Sequence, residues 1–252
     1  MINLESIYNL YLDKKNIENR KKYDEFKGWY SASTAGSCHK KQYYKVNDYD
    51  EEPFDSKVKR LLRLGTVVHK DFEEALNWYN REYLDERILI MTEQQIKLPE
   101  LNVVGHLDAV HINLDTENIT LFDLKTIGDW PWKMRFGKKK KLGSTSNRYF
   151  LQVGTYVLGL KEMYPDFDYE MMIVWYNKNN SMMREQKIYP EWSDEAFIYW
   201  EDLKESTKDD VFGYYPEEIV AVKPHEIGNV PVEKWECDYC NYNKQCKIDT
   251  LK

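Results

Sequence analysis

Asp123 and Lys125 stand two residues apart in Asp123-Leu124-Lys125, so on a β-strand their side chains leave the same face. Upstream, Gly105-His106-Leu107-Asp108 ends in a second carboxylate. Between them, Asp115-Thr116-Glu117-Asn118 reads as a turn flanked by apolar, strand-like runs. A hairpin folded there returns Asp108 to the side of Asp123 and sets two acids and one amine on an otherwise apolar pair of strands. Carboxylates so close repel each other unless a divalent cation lies between them. An ammonium beside them can steer a water or neutralise charge on a phosphate in transfer. Asp-x-Lys alone fits an exposed ion pair better than a catalytic site, so the elements that would place it decide its meaning.

The chain has 252 residues, 42% of them hydrophobic, enough for one large domain or a core with an appendage. No apolar run approaches the length of a membrane span, and the N-terminus lacks the apolar core of a signal peptide, so a cytoplasmic protein is expected. A net charge of −7 and a pI near 5.4 argue against a nucleic-acid partner by bulk charge. The distribution argues otherwise. Lys133, Arg135, Lys138, Lys139, Lys140, Lys141 and Arg148 form a local basic island with no acid among them, and Trp130 and Trp132 stand at its entrance. Such an island suits phosphates, although its charge also fits a solvated loop.

Apolar residues at helical intervals (Leu4, Ile7, Tyr8, Tyr11, Leu12) predict a helix over Asn3 to Phe26. The small, polar run Ser31 to Cys38 supplies Ser and Thr residues able to cap a helix that begins near Cys38. After an acidic loop from Asp48 to Asp55, a second helix spans about Ser56 to Tyr79 and carries Gly65, His69 and, one turn further on the same face, Glu73. By itself His69 reads as a packed or capping residue more readily than as a ligand. Strand-like runs follow at Glu93–Leu98, Asn102–Leu114 and Asn118–Thr126. A helix is expected from about Tyr149 to Tyr164, with Gln152 and Tyr156 on one face. Strands at Tyr169–Asn177 and Ser181–Tyr189, a helix near Ser193–Ser206 and a tail with Pro216, Pro224 and Pro231 complete the chain. This order of elements indicates an α/β protein, a sheet with helices on its faces.

Cys237, Cys240 and Cys246 form a compact trio, and the fourth cysteine, Cys38, lies far upstream. In a reducing compartment disulfides are not expected, and four thiolates suit tetrahedral Zn²⁺ or an iron–sulfur cluster. Either would tie the N-terminal segment to the tail and contribute to folding.

With these residues assembled, the sequence resembles the RecB-like branch of the PD-(D/E)XK nuclease superfamily. Within it, the chain looks like the iron–sulfur nucleases of CRISPR adaptation modules and of the AddB helicase–nuclease subunit. Gly65-x3-His69, Gly105-His106-Leu107-Asp108, Asp123-Leu124-Lys125 and Gln152-x3-Tyr156 match the motifs of that branch in order, with Asp123 where Glu is more frequent. Cys38 with the Cys237, Cys240 and Cys246 trio matches its split cysteine set, which binds a 4Fe–4S cluster. The resemblance implies a restriction-endonuclease-like mixed sheet flanked by helices, its N- and C-terminal segments joined by a four-cysteine metal cluster. A helical segment over residues 1–55, a nuclease core over 56–210 and a cysteine segment over 211–252 are then expected.

It further implies that His69, Asp108, Asp123 and the Leu124 carbonyl hold Mn²⁺ or Mg²⁺, and that Lys125 acts on the phosphate or its water. Gln152 and Tyr156 would orient DNA or support Lys125. The island from Lys133 to Arg148, with Trp130 and Trp132 stacking on bases, would guide a single strand. The implied activity is a metal-dependent DNA exonuclease acting on single-stranded DNA or free ends, in recombination, repair or CRISPR adaptation. A non-catalytic DNA-binding or partner-recruiting subunit is the alternative, and Zn²⁺ is the alternative at the cysteines.

Overall fold

The computed structural model describes residues 3–22, 24–137, 145–208, 236–237 and 239–250. Helix α1, Leu4–Lys22, ends before the expected Phe26, and a short 3-10 turn at Asp24–Phe26 follows. Only Leu12 of its apolar stripe is buried, while Leu4, Ile7, Tyr8 and Tyr11 stay exposed. Its polar groups do the docking. Lys59 pairs with Asp13 at 2.6 Å and Arg60 reaches Asn9 at 2.8 Å, both from α3, the helix Ser56–Tyr83. That helix starts where Asp55 Oδ1 accepts from the Val58 N–H at 2.8 Å, satisfying one of its orphan donors. It runs four residues past the expected Tyr79.

The helix expected near Cys38 is α2, His39–Val46, but no Ser or Thr caps it: its N-cap is Cys38, without a side-chain bond. Thr34 instead donates to the Ser31 carbonyl at 2.6 Å and lies 2.9 Å from Gln42 Oε1, inside the fold.

Six strands form one mixed sheet: β1 Tyr30–Ser31, β2 Ile88–Leu98, β3 Val103–Asn113, β4 Asn118–Ile127, β5 Asp168–Asn177 and β6 Met183–Ile188. The order is β1-β3-β4-β5-β6, with β2 also on β3; β1 to β3 and β4 to β5 run parallel, the other pairs antiparallel. The β3–β4 hairpin turns where expected, Asn113 Oδ1 accepting from the N–H groups of Asp115 and Thr116 at 2.9 and 3.1 Å. Strand β2 begins five residues before the expected Glu93. Glu93 itself has φ +51°, and the bonded register steps from Thr92↔Ala109 to Gln94↔Leu107 across it. At this kink the core-facing set changes parity. Ile96 and Leu98 face the core beyond it and Met91 before it, while on β3 Leu107 gives way to Val110 and Ile112.

Helices α4, Asp129–Phe136, and α5, Thr145–Met163, follow β4; α4 was not expected. Helix α5 crosses the sheet closely enough that a Cβ on Gly159 would come 2.7 Å from the Ile96 Cβ. Helix α6, Trp192–Lys208, covers α5, and the Trp200 indole donates to Thr155 Oγ1 at 2.8 Å. The tail's described residues, including α7, Asn243–Thr250, pack on α2, Tyr242 lying 5.5 Å ring to ring from Tyr44. The acidic loop receives them. The Glu52 N–H donates to the Asn241 carbonyl at 2.7 Å, and the Tyr242 hydroxyl donates to Glu51 at 3.0 Å. Pro216, Pro224 and Pro231 lie outside the described residues. Among the described residues no helix is long and apolar enough to cross a membrane.

Gly154 on α5 lies so near α6 that an added Cβ would sit 2.0 Å from the Trp192 carbonyl oxygen. That neighbour is backbone and cannot turn aside. Gly154→Ala is therefore expected to cost about 3 kcal/mol, the upper range for overpacking. Chemical denaturation checks this; an unchanged midpoint and slope would contradict the close α5–α6 approach.

Candidate active site

Strand β3 pairs with β1 at Val103 and Val104 and with β4 from Ala109 onward, so Gly105 to Asp108 pair with neither. The strands on that side of β3 part company here, and the motif residues fill the opening. Gly105 is required by close approach: a Cβ would lie 2.7 Å from the Ala32 Cβ and 2.8 Å from Tyr156 Cε1. Gly65 does the same for α3, where a Cβ would meet Thr126 Oγ1 at 3.2 Å. One turn later His69 Nδ1 lies 3.1 Å from Asp108 Oδ1, and Asp108 Oδ2 accepts the Leu124 N–H at 2.6 Å.

A second pair stands beside the first. Lys125 donates to Asp123 Oδ1 at 3.1 Å and to Gln152 Oε1 at 2.9 Å, and the Gln152 amide donates to the Tyr156 hydroxyl at 2.8 Å. The Lys125 ammonium also lies 5.3 Å from the centre of the Tyr149 ring. His69, Asp108, Asp123, Lys125, Gln152 and Tyr156, from four separate elements, are thus brought together.

Burial shapes the electrostatics. Asp123 is 1% exposed, and desolvation pushes its carboxyl up to about 6, with the Asp108 charge adding and Lys125 opposing. For Asp108 burial acts the same way, but hydrogen bonds from His69 and the Leu124 N–H, with the Lys125 charge, hold it below its ordinary value. Burial opposes the charge of His69 and of Lys125, yet the neighbouring carboxylates win and raise both. Asp123 Oδ2 lies 2.8 Å from the Lys125 ammonium, which contacts both oxygens of this buried carboxylate. A desolvated carboxylate held by one ammonium, next to a second carboxylate and an imidazole, fits a divalent cation. The two acids are now turned to their own partners. Among the described residues no three His, Cys, Asp or Glu side chains already form a closed metal cage.

Two further acids reach this region. Glu93, at the β2 kink opposite Asp108, has its carboxyl raised by burial and by the charges of Asp108 and Glu73. Nothing in the strand pattern marks it, because its importance comes from a positive φ that only the fold shows. Glu73 shares one concavity with His69, as their helical spacing suggests.

The expected DNA-guiding residues divide. Trp130 is 72% exposed and Lys133 is exposed beside Asp129. The expectation that Trp132 stacks on bases is corrected: it is buried at 7% and packs on Phe136, because α4 turns that face into the core. Arg135 lies over the Trp175 ring at 3.8 Å, and Arg148 forms an ion pair with Glu236 inside the fold. Lys138, Lys139, Lys140 and Lys141 lie outside the described residues.

Among the described residues, which include all four cysteines, no disulfide is formed. The Cys38 thiol is pushed up by burial first, and also by the nearby charges of Cys240 and Cys237. Cys246 is buried with Tyr44 and Tyr242, and Cys240 packs against that group.

The family model of the PD-(D/E)XK nuclease superfamily matches residues 47–247. Among solved structures, SSO0001 is 14% identical with a TM-score of 0.55, the match covering 96% of this chain and 97% of that one. An alkaline exonuclease from Laribacter hongkongensis is 10% identical with a TM-score of 0.47, covering 77% and 94%. No curated protein sequence matches the chain.

If a cation binds through Asp123, protons compete with it, because the carboxylate is the ligand form. Mn²⁺ at about a hundred times its Kd is expected to raise stability by about 2.7 kcal/mol near neutral pH. The gain should shrink as pH falls through about 6, where Asp123 takes up its proton. Melting curves with and without Mn²⁺ measure this, and an equal gain well below that pH would contradict it.

Proposed function

The chain belongs to the PD-(D/E)XK nuclease superfamily, and from that membership we propose that it is a divalent-metal-dependent deoxyribonuclease of the RecB-like branch, acting as an exonuclease on free, single-stranded DNA ends. The observation that carries the reading is the meeting of the His69–Asp108 and Lys125–Asp123 pairs, which sets two carboxylates beside an imidazole and an ammonium in a largely buried site. Gathering buried acids in this way is costly, and binding alone does not require it.

His69, Asp108, Asp123 and the Leu124 carbonyl would hold the ion, Mg²⁺ or Mn²⁺. When bound, it polarises the scissile phosphate and lowers the pKa of a coordinated water. The chain's own residues do the rest. The Leu124 N–H fixes one oxygen of Asp108 and leaves the other towards His69. Gln152, itself bonded to the buried Tyr156 hydroxyl, holds the Lys125 ammonium at a set position. From there Lys125 offsets negative charge that builds on the phosphate oxygens as the bond breaks. Trp130 and Lys133, exposed on α4, with the Lys138 to Lys141 run, supply stacking and phosphate contacts for the strand.

At the cysteines we favour a 4Fe–4S cluster over Zn²⁺, supported by the split spacing and by the burial of Cys38 near Cys237 and Cys240. Its role is structural, holding the tail on α2. DNA recombination, repair and CRISPR adaptation are all settings such a nuclease serves.

Purified anaerobically, the protein should be brown and contain iron and sulfide; colourless, zinc-containing protein would contradict the cluster. With Mn²⁺ or Mg²⁺ it should degrade end-labelled single-stranded DNA. Asp123→Ala and Lys125→Ala should each lose at least about a hundredfold in rate, the scale of one removed transition-state stabiliser. Undiminished cleavage by both variants would overturn the catalytic assignment.

A further inference from the structure

Between α3 and the sheet, opening beside His69 and Asp108, lies a concavity of about 470 Å³. Phe72 and Leu76 of α3 face it from one side; Ile90, Phe122 and Val174 of the sheet face it from the other. None of these five is fully buried, and α3 buries no residue at all. Large apolar side chains left partly wet around a hollow mark a surface shaped for an apolar ligand. Its polar lining is mostly acidic, Glu73, Glu93, Glu185 and Asp108 outnumbering the imidazoles of His69 and His111. A phosphate is repelled by the three glutamates, away from His69. A flat, uncharged ring that donates N–H groups is not.

On the reading of the chain as a nuclease, we propose that this concavity receives the unpaired base of the nucleotide whose phosphate is cleaved. The phosphate lies at the mouth, where His69 and Asp108 stand. The base enters behind it, its faces against Phe72 and Phe122 and its amino edge towards the glutamates. A base stacked and paired in a duplex offers neither its faces nor its edge, so the hollow selects frayed or single-stranded ends.

Two otherwise identical oligonucleotides test this, one with a normal terminal adenosine and one with an abasic tetrahydrofuran nucleotide there. Each is digested by the intact protein and by Leu76→Trp, which narrows the hollow between α3 and the sheet; Val174→Phe serves where Leu76→Trp does not fold. The wild type should prefer the normal end roughly tenfold in kcat/KM, the scale of one base–aromatic stack. The variant should lose that factor on the normal end and match the wild type on the abasic one. Equal cleavage of both ends by the wild type, or preference retained in the variant, would overturn the proposal. If neither oligonucleotide is cleaved, the nuclease reading fails, and the hollow is judged separately by calorimetry with deoxyadenosine monophosphate. Binding lost in Leu76→Trp supports it; no binding to the wild type overturns it.

Discussion

Of the four β3 residues from Gly105 to Asp108, the first three are paired on one edge by β2 and none is paired on the other, because β1 stops at Val104 and β4 joins only at Ala109. An open ladder inside a sheet leaves backbone groups to be satisfied by other means. Here the Leu124 N–H is taken by the Asp108 carboxylate, a side chain standing where a backbone carbonyl of a continued ladder would be. That substitution holds β3 and β4 together across the gap while fixing a charged group at its edge. The helices are adjusted to the same opening. Gly65 lets α3 bring His69 down to it, and Gly105 leaves room for Tyr156, whose hydroxyl begins the chain of hydrogen bonds to Lys125.

The charges in the gap are balanced pairwise but not fully satisfied. Imidazole faces one carboxylate and ammonium the other, which lets two acids share a dry site. Asp123 bears the cost of this arrangement, fully desolvated beside a second carboxylate, and its carboxyl is shifted upward by that burial first. Such a site is preorganised for an added positive charge. Its hydrogen-bonded supports, Gln152 and Tyr156, carry no formal charge of their own and so hold Lys125 without competing for it.

The sequence was most legible where spacing alone decides direction. Asp123 and Lys125 share a face by strand period, and Gln152 and Tyr156 share one by helical period; both meet as that period requires. A sheet with helices on its faces likewise follows from the order of apolar runs, while its mixed pairing was implied only by the family resemblance. What was hidden depends on tertiary context. The kink at Glu93 interrupts the alternation of β2, so the strand reads as beginning five residues late and Glu93 as an ordinary strand end. Helix α4 is eight residues rich in aromatic and basic side chains, and no period could tell that Trp132 turns in while Trp130 turns out. The acidic loop is marked in the sequence only by its charge, and nothing there tells that Glu51 and Glu52 hold the cysteine-bearing tail. Arg148 looked like part of a phosphate-binding run, but it is turned to Glu236, beside Cys237. Charge runs report composition; which partner each charge finds is decided by the fold.

The central physical claim is that one cation site is built from elements far apart in the chain. Crystals grown with Mn²⁺ and measured for anomalous scattering test it most directly. A strong peak bounded by His69, Asp108, Asp123 and the Leu124 carbonyl, with Lys125 alongside, is the expected result. A peak elsewhere, with those side chains turned away from one another, would contradict it.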